Sequence, residues 1–296
     1  MNTKPILVSG LVNIETTCAV RGFPIEYSPI DYRFFGVNMS VSGVGFNVAK
    51  ALTALGNTVR LATLLGGDAA GDLALRELHS SGIDDALVSR GLRQTPSSAV
   101  LYDPDGKRKI YCDLKDIQET AYDFGGIDLT AYQAVVACNI NFSRPLLSMA
   151  KAAGVPIATD VHALSDLHDD YNRDFMAHAD ILFLSDECVP GAPEDFIRTI
   201  EDTYHNRVIV MGCGAKGAVM YLRDGDVFYH QPAAKVGEVV NTVGAGDALF
   251  SAFVSLWCEG LPPVECLTLA QTFAAAKITH NGGGSGFLTR DELGTI

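Results

Sequence analysis

The sequence predicts an α/β fold: a mostly parallel central sheet between layers of helices, with a small β-rich lid beside it. Six short apolar runs point to the sheet: PILVSG, TVRLATLLG, AVVACNI, VPIATDV, ADILFLS and RVIVMG. Most are β-branched, apolar on both faces and closed by Gly, Asn or Asp, as strands buried between helices require. Helix-length stretches such as GFNVAKALTALG and AGDLALRELHSSG separate several of them, which is the rhythm of βαβ units. In sheets of this kind ligands gather at the carboxyl ends of the strands.

Two stretches break the rhythm and predict the lid. Residues 97–114, SSAVLYDPDGKRKIYCDL, hold two strand-like arms around Asp103, Pro104, Asp105 and Gly106, a hairpin signal. Residues 16–38 are aromatic, punctuated by proline and poor in helix formers. The expected organisation is one domain over residues 1–296, its lid formed from about residues 14–38 and 97–114. A surface hairpin with an irregular loop is the plainer alternative.

Composition narrows the function. Hydrophobic residues make up 48% and charged residues 19% of the chain, enough for a large core. The formal net charge of −13 argues against nucleic acid or an anionic membrane as partner, since both need clustered Lys and Arg. It leaves open a small anion held by local backbone dipoles. Seven cysteines are scattered without any C-x-x-C pair, which reads as reduced thiols in the cytoplasm. No apolar run suits a signal peptide or a membrane span.

The chemistry concentrates in residues 241–254, NTVGAGDALFSAFV. From Asp247 onward Leu249, Phe250, Phe253, Val254, Leu256 and Trp257 recur at helical spacing, and Gly260 with Pro262 and Pro263 supplies a stop. Gly244, Ala245 and Gly246 therefore sit at a helix N-terminus, where unpartnered N–H groups and the positive dipole end attract an anion. A carboxylate in that first turn suits a general base that deprotonates a hydroxyl attacking the anion. An acid that only offsets the dipole would show the same letters.

A second glycine stretch favours the chemical reading. SGVGFNVA, residues 42–49, places Gly43 and Gly45 before Asn47 and a helical pattern, with Gly56 and Gly66 following. With both stretches present, about two hundred residues apart in the expected order, the sequence resembles the PfkB (ribokinase-like) family of carbohydrate and nucleoside kinases. The resemblance spans essentially the whole chain. It implies a ribokinase-like three-layer sandwich and an ATP-dependent phosphotransferase. Asp247 is then the base, and the N–H groups of Ala245, Gly246 and Asp247 hold the transferring phosphoryl group. Gly43 and Asn47 line the acceptor pocket. Glu15 matches an Asp that grips sugar hydroxyls in relatives, and a carboxylate accepting two hydroxyls suits a polyol. Asn139, at the end of AVVACNI beside Asn141, and Asp160, beside His162, are further acceptor-side candidates.

The nucleotide side is assigned from the same resemblance. GCGAKG, residues 212–217, matches a dinucleotide fingerprint by letter, but the alternating stretch after it, split by Asp224 and Gly225, reads as a hairpin rather than the required helix. A nicotinamide site is therefore disfavoured. Gly214 and Gly217 lie instead near the ATP phosphates or ribose, with Thr242, Ala275 and Asn281 as further contacts; Lys216 reads as a phosphate contact or a solvated lysine. Magnesium accompanies the ATP.

Departures from the family pattern are equally specific. Ser42 and Val44 stand where relatives have a Gly and frequently a Lys, which removes a cation from the acceptor side. Ser185 and Cys188 fill the places of an N-x-x-E linked to magnesium, leaving Asp186 and Glu187 between them as ligands acting through water. Asn241 replaces an Asp near the monovalent-cation site of some members, so a potassium requirement stays open. The expected acceptor is the primary hydroxyl of a small sugar. A nucleoside acceptor, or a non-catalytic sensor on the same scaffold, is the alternative. The apolar lid arms also suggest a homodimer formed through the lid, and Lys107, Arg108 and Lys109 on the hairpin read as phosphate neutralisers or an ordinary basic turn.

Overall fold

The computed structural model describes residues 4–105, 107–164, 166–167 and 169–295; Gly106 of the expected hairpin turn lies outside them. Strands run in chain order as β1 (Ile6–Ser9), β2 (Asn13–Ala19), β3 (Val37–Ser42), β4 (Val59–Gly66), β5 (Val88–Leu92), β6 (Ser97–Tyr102) and β7 (Arg108–Asp113). They continue as β8 (Ala134–Ala137), β9 (Ile157–Ala163), β10 (Ile181–Ser185), β11 (Val208–Gly212), β12 (Ala218–Leu222) and β13 (Val227–Gln231). The helices are α1 (Val44–Ala54), α2 (Ala69–Ser80), α3 (Arg144–Ala153), α4 (Arg173–His178), α5 (Pro193–Tyr204), α6 (Ala245–Cys258), α7 (Pro263–Lys277) and α8 (Arg290–Leu293).

A nine-stranded sheet has the order β13-β12-β11-β10-β9-β8-β1-β4-β5. Its strands from β11 to β5 are parallel, and β12 and β13 close one edge antiparallel. Each of the six apolar runs becomes one of the parallel strands. Alternate side chains feed two cores: Ile6, Val8, Ile181 and Phe183 pack towards α1, α6 and α7, while Leu7, Leu182 and Ile209 pack towards α3 and α5. Such two-sided burial is why these strands read as continuous apolar runs. The central helix α6 is buried from Asp247 through Leu256, and Phe250 and Phe253 meet the ring of Phe183 edge-on at 5.1 and 5.3 Å. The result is the three-layer sandwich the resemblance implied.

A separate four-stranded sheet has the order β3-β2-β6-β7. The hairpin forms as expected, with Ser97 opposite Asp113 and Tyr102 opposite Arg108. β3 extends past the expected boundary to Ser42, because Val41 and Ser42 are buried where the strand enters the main body. Edge strand β5 escaped the sequence reading, since its half-exposed pattern carries no apolar run. GCGAKG leads into the β12–β13 hairpin, as the alternation predicted.

The topology reverses direction at β1, which has β8 on one side and β4 on the other. Open α/β sheets place their ligand crevice at such a switch point. Here the backbone is drawn unusually tight. A Cβ on Gly45 would lie 2.4 Å from the Gly10 carbonyl carbon, and one on Gly10 would lie 2.5 Å from Cys138 Sγ. Alanine at 45 would otherwise gain about 0.5–1 kcal/mol of helix preference. The clash falls on backbone, so Gly45→Ala is expected instead to destabilise by about 1–3 kcal/mol in urea unfolding.

Candidate active site

The N-terminus of α6 opens towards this crevice. Gly244 caps it in the left-handed region at φ 78°, and a Cβ there would meet the Gly283 carbonyl oxygen at 2.7 Å. Only glycine satisfies both demands. The Ala245 N–H is committed to Thr242 O at 3.2 Å, whereas the Gly246 and Asp247 N–H groups occupy first-turn positions with no intrahelical acceptor. Of the three amides expected from sequence, two are therefore left without a backbone acceptor.

Asp247 is 9% exposed, and Asn47 Nδ2 donates to its Oδ2 at 2.8 Å. Asn47 is itself covered by Gly283 and Gly284, where a Cβ would come within 2.8 and 3.1 Å of its amide. Those glycines thus let the 282–286 turn lie directly on Asn47. Burial raises the Asp247 carboxyl above the ordinary aspartate value; His162, Asn47 and Lys277 oppose that shift, and Asp160 adds to it. A raised but partnered carboxylate is suited to taking a proton.

Asp160, midway along β9, comes to the same place: its Oδ1 accepts the His162 N–H at 2.8 Å, and its Oδ2 lies 3.6 Å from His162 Nδ1. His162 holds φ 58°, a left-handed conformation uncommon for non-glycine residues. One ligand atom from each of Asp160, His162 and Asp247 lies within 4.8 Å of the others, a trio that could hold a metal ion. Glu15, on β2, is buried and has its carboxyl raised by burial, against the pull of Lys277, a hydrogen bond with Ser42, and the charge of Arg108. Both carboxylates therefore answer to one cation. Lys277 was missed in the sequence, although a lysine closing the apolar run FAAAKI is itself a signal. Burial lowers its pKa to about 8, while Asp247 and Glu15 hold its charge.

Other expected residues are placed as follows. Gly43 starts α1 at φ 101°, where a Cβ would strike the Leu11 carbonyl oxygen at 2.6 Å, and the Asn47 N–H bonds its carbonyl. Asn139 follows β8; its side chain donates to Asn172 Oδ1 at 3.0 Å and its carbonyl accepts Tyr171 Oη–H at 3.0 Å. Asp186 and Glu187 form a single 3₁₀ turn after β10, and among the described residues neither carboxylate enters an ion pair. They remain free oxygen donors at a strand end, as magnesium held through water needs.

On the nucleotide side the 240–242 strip docks on the end of α7, with the Val240 and Asn241 N–H groups on the Ile278 carbonyl at 2.8 and 3.0 Å. Thr242 is exposed beside the α6 terminus, and Ala275, on α7, is buried. Asn281 is exposed, and its carbonyl accepts Ser285 Oγ–H. Gly217, at φ 104°, would place a Cβ 2.0 Å from Gln231 O, so its glycine is required by the hairpin whatever else it touches. Gly214, at φ 54°, has open space around its Cβ position.

Known proteins resemble this chain over nearly its whole length. The family described as pfkB family carbohydrate kinase matches residues 3–290. An ATP-dependent ribose-1-phosphate kinase of Halopiger xanaduensis is 29% identical over 289 residues, covering 95% of this chain and 94% of the relative. A pseudouridine kinase of Escherichia coli is 27% identical, over 90% of this chain and 88% of the relative. Among solved structures, a microbiome-derived acarbose kinase superposes with a TM-score of 0.88 at 21% identity, covering 100% of this chain and 99% of that one. Arabidopsis thaliana ribokinase with ribose and ATP gives 0.82 at 20% identity, covering 99% and 98%. These last two likenesses establish the ribokinase-like fold.

Asn47→Ala would leave the buried Asp247 carboxylate without its side-chain donor. The expected cost is about 1–3 kcal/mol of stability, read as a lower urea midpoint at unchanged slope.

Proposed function

The chain belongs to the pfkB family of carbohydrate kinases, and from that premise we propose that it moves the γ-phosphoryl group of ATP to a primary hydroxyl of a small, uncharged sugar. The observation that carries this reading is the Asp247 carboxylate, held by Asn47 at the open end of α6. In the proposed step the acceptor oxygen attacks the γ-phosphorus, its proton passes to Asp247, the bond to the β–γ bridging oxygen breaks, and ADP leaves. The Gly246 and Asp247 N–H groups face the charge that develops on the phosphoryl oxygens. One well-aimed donor of that kind is worth about 2.7–4 kcal/mol. Positioning and charge stabilisation supply most of phosphoryl transfer.

Glu15 and Asn47 bind the acceptor, with Asp160 beside them; Thr242, Gly214, Gly217, Ala275 and Asn281 flank the nucleotide. Asp186 and Glu187 would hold magnesium through water, and that ion when bound offsets the charge of the ATP phosphates. The four-stranded sheet acts as a lid: β2 carries Glu15 into the site, so closing it shields the reacting groups from water. A neutral acceptor fits the acidic Glu15 and the loss of a cation at Val44. The nucleoside alternative is supported by the pseudouridine kinase relative. Among the described residues the cysteines are free thiols, which supports a reducing compartment, the cytoplasm.

The lid's outer face supports a homodimer. Tyr27, Phe34, Phe35, Met39, Ile110 and Tyr111 are exposed on or beside the lid, Phe35 at 99%, and a partner copy would cover apolar side chains of this kind.

Asp247→Asn is expected to lower turnover by at least about 10²-fold while leaving ATP-analogue binding intact. The acceptor for that assay comes from a thermal-shift screen of sugars and nucleosides in the presence of a non-hydrolysable ATP analogue. Wild-type kcat/KM should fall on acidification through a pKa above the ordinary aspartate value, because burial favours the protonated acid. Near-normal turnover of the Asn variant removes Asp247 from the role of base. Sedimentation of the wild type should give twice the monomer mass, and Phe35→Asp should give the monomer; a wild type that sediments as a monomer discards the lid dimer.

A further inference from the structure

Lys277 closes α7 behind Phe273, Ala274, Ala275 and Ala276, and it is 0% exposed. A buried ammonium is costly unless paired. Its partners are three: Nζ donates to the Val243 carbonyl, and the carboxylates of Asp247 and Glu15 act on its charge. Val243 directly precedes Gly244, so this cation stands on the carbonyl side of the loop whose N–H groups open α6. Relatives frequently carry a Lys at the place of Val44. Here a cation facing both carboxylates comes from α7 instead.

The neighbouring polar groups are committed too. Asn241 Oδ1 turns back to accept the Val243 N–H at 2.8 Å, and the Ile278 carbonyl takes the Val240 and Asn241 N–H groups. The resemblance places Asn241 where many relatives have an Asp near a monovalent-cation site. In this chain that residue lacks the carboxylate charge, its oxygen is used within its own loop, and the Val243 carbonyl already holds a charged donor. While Lys277 holds the Val243 carbonyl, the strip does not fit a free monovalent ion.

We propose that Lys277 is a positioning residue whose tethered ammonium supplies the positive charge that a monovalent cation would bring to residues 240–243, so that this kinase binds nucleotide without potassium. A fixed ammonium brings the charge with a covalent tether, and its three donors orient the carbonyl side of the loop. The inference rests on reading residues 244–247 as the phosphoryl site.

The test is binding of a non-hydrolysable ATP analogue with magnesium, measured by calorimetry in potassium chloride and in tetramethylammonium chloride. Both salts are used at about 0.1 M, so that screening is equal. The wild type should show dissociation constants within about twofold of each other in the two salts. Lys277→Met, checked for folding by circular dichroism, should bind about tenfold more weakly in tetramethylammonium, the size of losing one hydrogen bond from a charged donor. Potassium should restore most of that loss. Wild-type binding that tightens severalfold in potassium overturns the proposal, whether or not the variant folds. So does a variant that binds normally, or one that potassium leaves unimproved, since Lys277 would then serve packing alone. Failure here with an inactive Asp247→Asn leaves the general-base reading intact, whereas an active Asp247→Asn removes that reading first.

Discussion

A hydrogen bond of 2.8 Å from Asn47 Nδ2 to Asp247 Oδ2 joins residues 200 apart in the chain and sets how the halves of the site face one another. Its length is fixed by how little room the backbone leaves on either side. α1 starts where Gly45 presses on Gly10, and α6 starts where Gly244 presses on Gly283. Neither helix can shift along its axis without a backbone clash. The carboxylate is consequently held in the first turn of α6, close to the amides at that helix end. The Asp247 carboxylate and the amides at the helix end beside it are thus products of one packing solution.

The charge distribution poses a problem that the same packing resolves. A chain with a net charge of −13 repels a nucleotide at long range. Attraction must then be local, arising from the positive end of α6 and from Lys277, which is removed from solvent and so escapes screening. Burial pushes Asp247 and Glu15 towards protonation and Lys277 towards deprotonation. Their mutual attraction works against all three shifts. The ionised triad is therefore conditional on its members staying together, and Glu15 belongs to the second sheet. Movement of that sheet would alter the electrostatics around Asp247 as well as the walls of the acceptor pocket.

The two sheets also divide labour. The nine-stranded sheet is buried on both faces and offers a rigid crevice at β1. On the four-stranded sheet Val37, Met39 and Ile110 are exposed, as are Phe34 and Phe35 in the loop that joins β2 to β3. Rigid elements hold Asp247 and Asp160; the lighter sheet brings Glu15.

Most of the scaffold was written in local patterns. Apolar runs marked the strands of the parallel sheet, the Asp-Pro-Asp turn marked the hairpin, and the glycines before Asp247 marked a helix N-terminus, because each depends on neighbours within a few residues. Edge strand β5 left no such mark, since a strand packed on one side alone needs no apolar run. The hydrogen bonds that tie Asn139 to Asn172 and Tyr171 and the turn laid over Asn47 depend on contacts between distant segments. Lys277 illustrates the limit best: in sequence it is one lysine at a helix end, where a solvated side chain is the usual outcome. The sequence alone determined the order of strands and helices and the chemistry available at residues 241–247. Only the tertiary structure decided which charges share a buried space, because burial and Coulomb attraction depend on distance through space rather than along the chain.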